Sequence, residues 1–286
     1  MGSRPVGAVG SGDHACLSFA SDLQQRDAVT SFVARGLAER EQVYCFVDAD
    51  PSAVPAFLQA AGVAAGDAVD RGQLVVQNAD DAYLPGGAFD PETMIARLRQ
   101  LIDAAVDHGY AGFRLAAEMT WMLRSGLDAE AIVAYETTAS AVFSDRPGCA
   151  MCHYDRRRFP AELVAAAEAA HPHVAIADPL YRGPQLTITP VYDPDGLRVD
   201  GDVDLSNAAA WQSALELIAG RADEVRLDLA GLGFIDLQGV RALARTAAGL
   251  ADGHRLVVDS APPELPRMLR LSGWDHTANL VIEAAR

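Results

Sequence analysis

Two cysteines and a histidine lie together in the segment CAMCH at residues 149–153. C-x-x-C-H is the spacing of c-type haem attachment, and C-x-x-C alone is that of redox-active thiols. Haem attachment of this kind normally takes place outside the cytoplasm, and reactive pairs normally open a helix, whereas these residues have the pattern of a strand. A zinc site formed by Cys16, Cys149, Cys152 and His14 is a further alternative, but it lacks a second close ligand pair. We therefore expect free buried thiols, with no metal and no cofactor.

A strand-to-helix turn lies in the segment LGFIDLQGVR at residues 232–241, where Asp236 and Gly239 bracket Leu237 and Gln238. The start of the following helix offers unpaired N–H groups and a positive dipole end, which favour an anion at the bracketed positions. Neither bracketed side chain is a nucleophile or accepts a phosphoryl group. The same pattern also fits a purely structural turn, with Asp236 as the helix N-cap and Gly239 as a packing glycine.

A third group of polar residues follows two apolar runs that have the pattern of parallel strands. Glu118 and Trp121 follow FRLAA, and Tyr154, Asp155 and Arg156 follow CAMC. Ligands of parallel sheets bind outside the carboxyl ends of the strands, so both groups are expected to face one crevice. Such a crevice suits a ligand with an apolar body and one polar handle. The alternative is a structural network of ion pairs, with the indole packed in the core.

The composition excludes several classes of chemistry. All 23 basic residues are arginine, so a Walker A loop, a Schiff-base lysine and a Ser-Lys dyad are absent. The sequence contains no G-x-S-x-G nucleophile elbow. A net charge of -16, with both halves acidic, disfavours nucleic acid and anionic membrane surfaces as partners. We expect a non-enzymatic protein.

These groups must be positioned by two predicted domains, for which 286 residues are long enough. Residues 12–170 alternate strands with amphipathic helices, which predicts a mostly parallel sheet covered on both faces. Residues 171–185 contain three prolines and no periodicity, which predicts a linker. Residues 186–286 predict a smaller α/β unit that begins with a hairpin around Pro194-Asp195-Gly196. No long apolar run or signal-peptide core is present, so we expect a soluble cytoplasmic protein.

The second unit resembles the STAS domain of anti-sigma-factor antagonists over residues 186–280, in GDVDLSNAAAWQSAL, in the turn at 236–239 and in HRLVVDSAPPELPRMLRLSGWD. In that family the turn carries a serine or threonine that a partner kinase of the anti-sigma type phosphorylates. Asp236 and Gly239 match the family pattern, and Asp204 matches the acidic residue beside the phosphorylation site. Leu237 and Gln238 stand where the hydroxyls are expected. The resemblance therefore implies a protein-binding module that cannot be phosphorylated at this turn.

The first unit resembles the MEDS sensory domain over residues 12–170. The resemblance rests on GDHACLSF (12–19), AEMTWMLR (117–124), Tyr135-Glu136 and MCHYDRRRFP (151–160). It implies a Rossmann-like or RecA-like sheet without a P-loop that recognises a small molecule such as a hydrocarbon derivative. The predicted ligand-binding residues are His14, Cys16, Glu118, Trp121, Glu136, Cys152, Tyr154, Asp155 and Arg156.

Together these features predict a bacterial signalling regulator without catalytic residues. The first unit is expected to sense a small molecule. The second is expected to bind an anti-sigma factor, a histidine-kinase-like serine kinase or other STAS proteins. Two alternatives remain: a STAS-based scaffold of a stress-signalling assembly, and a redox, haem or metal sensor or enzyme that uses the first unit's crevice.

Overall fold

A computed structural model describes residues 2–283 of the chain. The chain divides into two units, Met1–Ile176 and Ala177–Arg286. The segment 171–185, predicted as a linker, instead contributes a short strand to each unit, at His173–Ile176 and Tyr181–Arg182. Both are short stretches of extended backbone, and the division between the two units falls between them. Proline interrupts a strand only where it occupies a paired position, and all three prolines lie outside these two strands.

Seven strands form one sheet in the first unit, and every neighbouring pair in it is parallel. Most of the strands are near-continuous apolar runs, as expected for a parallel sheet that is buried on both faces. The order across the sheet is β1-β7-β2-β6-β5-β3-β4. The strands are β1 (Gly2–Pro5), β2 (His14–Phe19), β3 (Gln42–Val47), β4 (Leu74–Asn78), β5 (Phe113–Glu118), β6 (Gly148–Asp155) and β7 (His173–Ile176).

Helices connect these strands and cover both faces of the sheet. Four of the helices begin at side-chain caps, because Ser21, Asn78, Asp90 and Asp128 each accept a hydrogen bond from a first-turn N–H group. A 3-10 turn spans Val6–Ala8. The helices are α1 (Asp22–Ala38), α2 (Ala53–Ala60), α3 (Ala65–Asp70), α4 (Ala79–Tyr83), α5 (Pro91–Asp107), α6 (Met122–Ser125), α7 (Ala129–Ser144) and α8 (Ala161–Ala170).

The central strand β6 sends alternate side chains to opposite faces of the sheet. Cys152 and Tyr154 join the core formed with α5, α7 and α8, whereas Cys149 and Met151 join the core formed with α1. The two thiols of the C-x-x-C segment therefore lie on different sides of the sheet. This geometry contradicts the alternatives of a redox pair and of c-type haem attachment, because both need the two sulfurs on one face.

The second unit contains a six-stranded mixed sheet with the order β13-β12-β11-β10-β9-β8. Its first three strands along the chain pair antiparallel, and β10 to β13 pair parallel. The strands are β8 (Tyr181–Arg182), β9 (Leu186–Tyr192), β10 (Asp195–Val203), β11 (Glu224–Ile235), β12 (Arg255–Asp259) and β13 (Leu280–Ile282). The helices are α9 (Ala208–Ile218), α10 (Leu237–Ala248) and α11 (Glu264–Leu271).

The hairpin between β9 and β10 is tighter than the sequence predicted. Only Asp193 and Pro194 lie outside the strands, because Asp195 and Gly196 already pair with Tyr192 and Val191. On its other side β10 pairs with β11, and Gly196 permits close approach there, since a Cβ at that position would lie 1.9 Å from the carbonyl oxygen of Arg226.

The predicted fold class is confirmed: a mostly parallel α/β sheet is followed by a smaller α/β unit. Within residues 2–283, no helix has the length and apolar character needed to span a membrane.

Candidate functional site

A crevice of about 530 Å³ opens at the carboxyl ends of four strands in the first unit. It is lined by the last residue of each of these strands: Phe19 of β2, Val47 of β3, Glu118 of β5 and Asp155 of β6. Ligands of parallel sheets bind at this edge, where the following loops and helix N-termini converge. The crevice therefore has both the position and the size of a small-molecule site.

The crevice is lined by both apolar and charged side chains. Val29 of α1 and Val54 and Phe57 of α2 supply apolar surface, and Arg26, Arg157 and Arg158 are among the charged residues. Arg157 forms two hydrogen bonds of 2.8 Å to the carboxylate of Asp155. Partial burial opposes ionisation of Asp155, but these hydrogen bonds outweigh it and hold its pKa below the ordinary value. Asp155 is therefore a fixed carboxylate that orients an arginine.

Arg156 was predicted to contribute to this crevice, but Arg157 and Arg158 line it instead. Arg156 lies on the exposed turn that follows β6 and does not line the crevice. The prediction failed because three consecutive arginines give no signal, before the turn is known, as to which of them points inward.

Glu118 lies at the end of β5 with its carboxylate held by the backbone. The amide of Asp48 donates to Oε2 at 3.0 Å, and the hydroxyl of Thr120 donates to Oε1 at 3.3 Å. Burial raises the pKa of Glu118 above its ordinary value, although both hydrogen bonds act in the opposite direction. Glu118 is thus the acidic group of the crevice most easily converted between hydrogen-bond acceptor and donor.

His153 also lines the crevice, next to Asp155 on the same face of β6 only two residues away. The residue is 2% exposed, and neither ring nitrogen has a hydrogen-bond partner among residues 2–283. Burial lowers the pKa of His153 to about 3, so the ring is neutral and offers one donor and one acceptor. Sequence analysis did not assign this residue, although its spacing of two from Asp155 on a strand places both on one face.

The opposite face of β6 carries a second group of buried polar side chains. His14 Nε2 lies 3.3 Å from Cys152 Sγ and 3.5 Å from Glu136 Oε2. Tyr154 donates its hydroxyl hydrogen bond to Glu136 Oε1. Four of the residues predicted for ligand binding are therefore brought together, but inside the core and away from the crevice.

His171, which the sequence placed in a linker, completes this group. Its Nε2 lies 3.5 Å from Glu136 Oε2, and both residues are buried. Burial lowers the pKa of His14 and raises that of Glu136, because each charged form is disfavoured inside the core. Cys16 pairs in register with Cys152 on the neighbouring strand, but it is not part of the converging set of donor atoms.

Trp121 does not line the crevice, contrary to the prediction that it faces the same space as Glu118. It is fully buried and stacks on Tyr83, with ring centroids 4.4 Å apart, and it also packs against Phe89. The physical reason is the turn after β5, which sends the indole into the core beneath α4 and α5.

The strand-to-helix turn of the second unit is held by several hydrogen bonds. Asp236 Oδ1 accepts from the amide of Gly239 at 2.7 Å, and the Asp236 amide donates to the Val203 carbonyl at 3.0 Å. The Trp211 indole donates to the Gly239 carbonyl at 3.1 Å. A Cβ at position 239 would lie 2.7 Å from Ile235 Cγ1, so glycine is required for this packing. Asp236 is thus the N-cap of α10, as the structural alternative predicted.

Exposed apolar side chains surround this turn. Leu205, Phe234 and Leu237 are 80%, 54% and 53% exposed, and we call these three residues the turn surface. Asp204, beside them, accepts hydrogen bonds from the Ser206 hydroxyl at 2.6 Å and from its amide at 2.8 Å. These bonds lower the pKa of Asp204, so an acidic group borders the apolar surface.

Comparison with known proteins assigns both units. A family model described as the MEthanogen/methylotroph, DcmR Sensory domain, or MEDS, matches residues 13–172, which is more than half of the chain. The chain belongs to the MEDS family. A second family model, described as "Mlab, STAS domain", matches residues 191–283 of the chain.

A solved crystal structure of an anti-sigma factor antagonist from Mycobacterium paratuberculosis is similar to part of this MEDS protein. The two chains are 22% identical, and the match covers 35% of this chain and 90% of that one, with a TM-score of 0.30. No curated protein matches the chain. The predicted MEDS and STAS resemblances are confirmed, and a sensory domain followed by a STAS domain makes this protein a signalling regulator.

Proposed function

We propose that this protein binds a small molecule in the crevice of its MEDS unit and thereby controls the binding of a protein partner to the turn surface of its STAS unit. The observation that carries the proposal is His153, a buried imidazole without hydrogen-bond partners in the described chain, beneath the crevice. Buried polar groups are normally hydrogen-bonded, so an unpaired one that lines a cavity supports a bound ligand.

The lining of the crevice supports a particular class of ligand. Val29, Val54 and Phe57 form an apolar wall, whereas Glu118 and His153 offer hydrogen bonds at the strand ends. A neutral molecule with a hydrocarbon body and a hydroxyl or carbonyl group matches both surfaces. Asp155 and Arg157 neutralise each other, so neither of these two residues needs a charged group on the ligand.

The crevice offers little support for catalysis by a cysteine. Cys45 lines it, but burial raises the pKa of this thiol to about 12, and a protonated thiol is a poor nucleophile. Asp155 and Arg157 hold each other, and Glu118 is held by the Asp48 amide and the Thr120 hydroxyl, as binding groups are. We infer that this unit recognises its ligand without changing it.

The STAS unit supports recognition of a protein partner of the anti-sigma type, either an anti-sigma factor or a histidine-kinase-like serine kinase. Three exposed apolar side chains next to the acidic Asp204 form a surface of the kind that partners bury. Since Leu237 and Gln238 have no hydroxyl, we infer that phosphorylation at this turn does not regulate binding. Regulation then comes from the ligand of the MEDS unit.

The turn surface is tested by affinity capture with full-length protein as bait, using an extract of cells that naturally produce it. We expect mass spectrometry to identify an anti-sigma-type kinase or anti-sigma factor. Leu237→Arg is expected to abolish the capture, because it places a charge in the apolar surface. Leu271→Arg is the matched control, since Leu271 is 79% exposed in the same unit but outside the turn surface.

The crevice is tested by the effect of small alcohols and ketones on the affinity of the captured partner for full-length protein. Ala53→Trp should abolish any ligand effect, because Ala53 lines the crevice from α2 and is exposed. Ala56→Trp is the control, since it is exposed on the same helix without lining the crevice. A ligand effect that survives Ala53→Trp contradicts the assignment of the crevice. Capture of STAS proteins alone would favour the scaffold alternative.

A further inference from the structure

Four buried donor atoms from distant parts of the chain converge on the face of β6 opposite the crevice. They are His14 Nε2, Glu136 Oε2, Cys152 Sγ and His171 Nε2, and all lie within 4.8 Å of one another. The four residues are 0–4% exposed. They come from β2, α7, β6 and the residue after α8. We call them the four-residue cluster.

The hydrogen bonds around His171 determine which nitrogen faces the cluster. His171 Nδ1 lies 2.7 Å from the Ala167 carbonyl oxygen. A carbonyl only accepts, so Nδ1 carries the hydrogen and Nε2 keeps its lone pair. This Nε2 makes no hydrogen bond within residues 2–283.

His14 is fixed in the same way by Ser140. His14 Nδ1 lies 2.8 Å from Ser140 Oγ, and the Ser140 hydroxyl donates to the Glu136 carbonyl at 2.9 Å. Because that hydroxyl hydrogen is already used, Oγ accepts from His14 Nδ1–H, and His14 Nε2 also keeps its lone pair. Imidazoles that ligate metals are typically held by such outer hydrogen bonds from their second nitrogen.

The inner atoms of the cluster are therefore two imidazole lone pairs, a carboxyl oxygen and the sulfur of Cys152. The thiol of Cys152 has one hydrogen to give to the other three, and His171 Nε2 stays without a partner within residues 2–283. Both Nε2 lone pairs point toward Glu136 Oε2, each at 3.5 Å. Acceptors buried against acceptors are unfavourable, because neither supplies the hydrogen that the other needs. A cation at their centre reverses this interaction and satisfies all of them together.

The separations indicate which cation fits. Zinc binds nitrogen and oxygen at about 2.0–2.2 Å and sulfur at about 2.3 Å, so tetrahedral ligands lie about 3.3–3.6 Å apart. Four of the six separations are 3.3 Å from His14 Nε2 to Cys152 Sγ, 3.5 Å from each imidazole to Glu136, and 3.9 Å from Cys152 Sγ to Glu136 Oε2. The other two, from His171 to His14 and to Cys152, are within 4.8 Å, so His171 moves closer to the others when the ion is bound. Two imidazoles, a thiolate and a carboxylate are a donor set that suits zinc.

We propose that His14, Glu136, Cys152 and His171 bind one Zn²⁺ ion in a closed, structural site. Four protein ligands complete the tetrahedron, and the site is buried, so no position remains for substrate or water. Tyr154 supports the site from outside by its hydrogen bond to the other oxygen of Glu136. The ion ties α7 and the end of α8 to the centre of the sheet. This site is independent of the crevice ligand, because it lies on the other face of β6.

Metal analysis of the purified full-length protein tests the assignment. We expect about one zinc per chain after exhaustive dialysis, as structural sites hold their metal tightly. Cys152→Ser is expected to lower the zinc content by more than about tenfold, since it removes a ligand. Cys149→Ser is the matched control, a buried thiol on the same strand but the opposite face, and it should keep its zinc.

Cobalt supplies a readout that does not depend on the variants folding. Wild-type protein produced in zinc-depleted medium with Co²⁺ should show a thiolate-to-cobalt charge-transfer band in the near ultraviolet and strong tetrahedral d–d absorption. Less than stoichiometric zinc in the wild type, another metal in its place, or cobalt protein without the thiolate band would overturn the proposal. Equal loss of zinc in Cys149→Ser and Cys152→Ser would also overturn it.

Discussion

Replacing His153 by leucine should make the MEDS unit more stable while removing a polar group from its crevice. The imidazole is buried, and neither nitrogen is hydrogen-bonded within the described chain. An unsatisfied buried polar group costs about 1–3 kcal/mol, and leucine has a similar volume without polar atoms. At pH 7 the ligand-free variant should therefore unfold with a free energy higher by about 1–3 kcal/mol.

The gain should grow in acid, because of the depressed pKa of His153. In the folded protein this pKa is lowered from 6.5 to about 3 by burial. Below pH 6.5 the His153 imidazole binds a proton in the unfolded chain but stays neutral in the folded chain. The wild type therefore loses stability as the pH falls toward the folded pKa. One pKa unit is worth about 1.36 kcal/mol, which gives a further difference of about 2 kcal/mol between pH 7 and pH 5.

Hydrogen–deuterium exchange of the peptide that contains β6 measures this unfolding free energy in the full-length protein. The exchange rates are corrected for the intrinsic amide rate at each pH. Wild type and variant are then compared directly, because His14, which also has a lowered pKa, contributes equally to the pH dependence of both. His108→Leu, at an exposed position, should leave the exchange of β6 unchanged. If His153→Leu exchanges faster at pH 7, or its difference from wild type is independent of pH, the reasoning is refuted and the imidazole is hydrogen-bonded in solution.

Three further predictions concern the rest of the molecule. Asp236→Ala should destabilise the STAS unit by about 0.5–2 kcal/mol, because it removes the N-cap of α10; calorimetry of the second unit's transition measures this. Arg114→Ala should lower the free energy of unfolding of the MEDS unit, measured in urea, by about 3–5 kcal/mol, because it leaves Glu41 buried without its partner. Arg35→Ala, at an exposed position, should change the same free energy by less than about 0.5 kcal/mol. Leu237→Ser should gain phosphate when incubated with the captured kinase and ATP, because it restores a hydroxyl at the start of α10. The wild type should gain none there, and phosphate on wild-type residues 237–239 in a mass-spectrometric map would be contrary to this expectation.

The sequence predicted the parallel sheet well because most of its strands are long apolar runs. The expected strands FRLAA and CAMC lie within β5 and β6, and the crevice at the carboxyl ends of these two strands contains Glu118 and Asp155 as predicted. The edge strand β1 and its neighbour β7 were missed, since they have only four residues each and no apolar periodicity. Their formation depends on pairing with each other and with β2, which local sequence does not encode.

The sequence identified the four-residue cluster only in part, for a related reason. His14 and Cys152 belonged to the zinc alternative and Glu136 to the predicted ligand-binding residues, but His171 was placed in the linker. Metal sites are recognised in a sequence by close ligand pairs, and these four residues are scattered between residues 14 and 171. Only the folded sheet brings them together. The opposite orientation of Cys149 and Cys152, in contrast, follows from the sequence once the strand is assigned, because residues three apart on a strand face opposite sides of the sheet.

The alternation along β6 separates the effects of a substitution on the two faces of the sheet, but not those of an insertion. His153 and Asp155 serve the crevice, whereas Cys152 and Tyr154 serve the other face. One added or deleted residue in the strand would exchange the two faces for every position beyond it. Homologous chains should therefore keep the length of β6 unchanged.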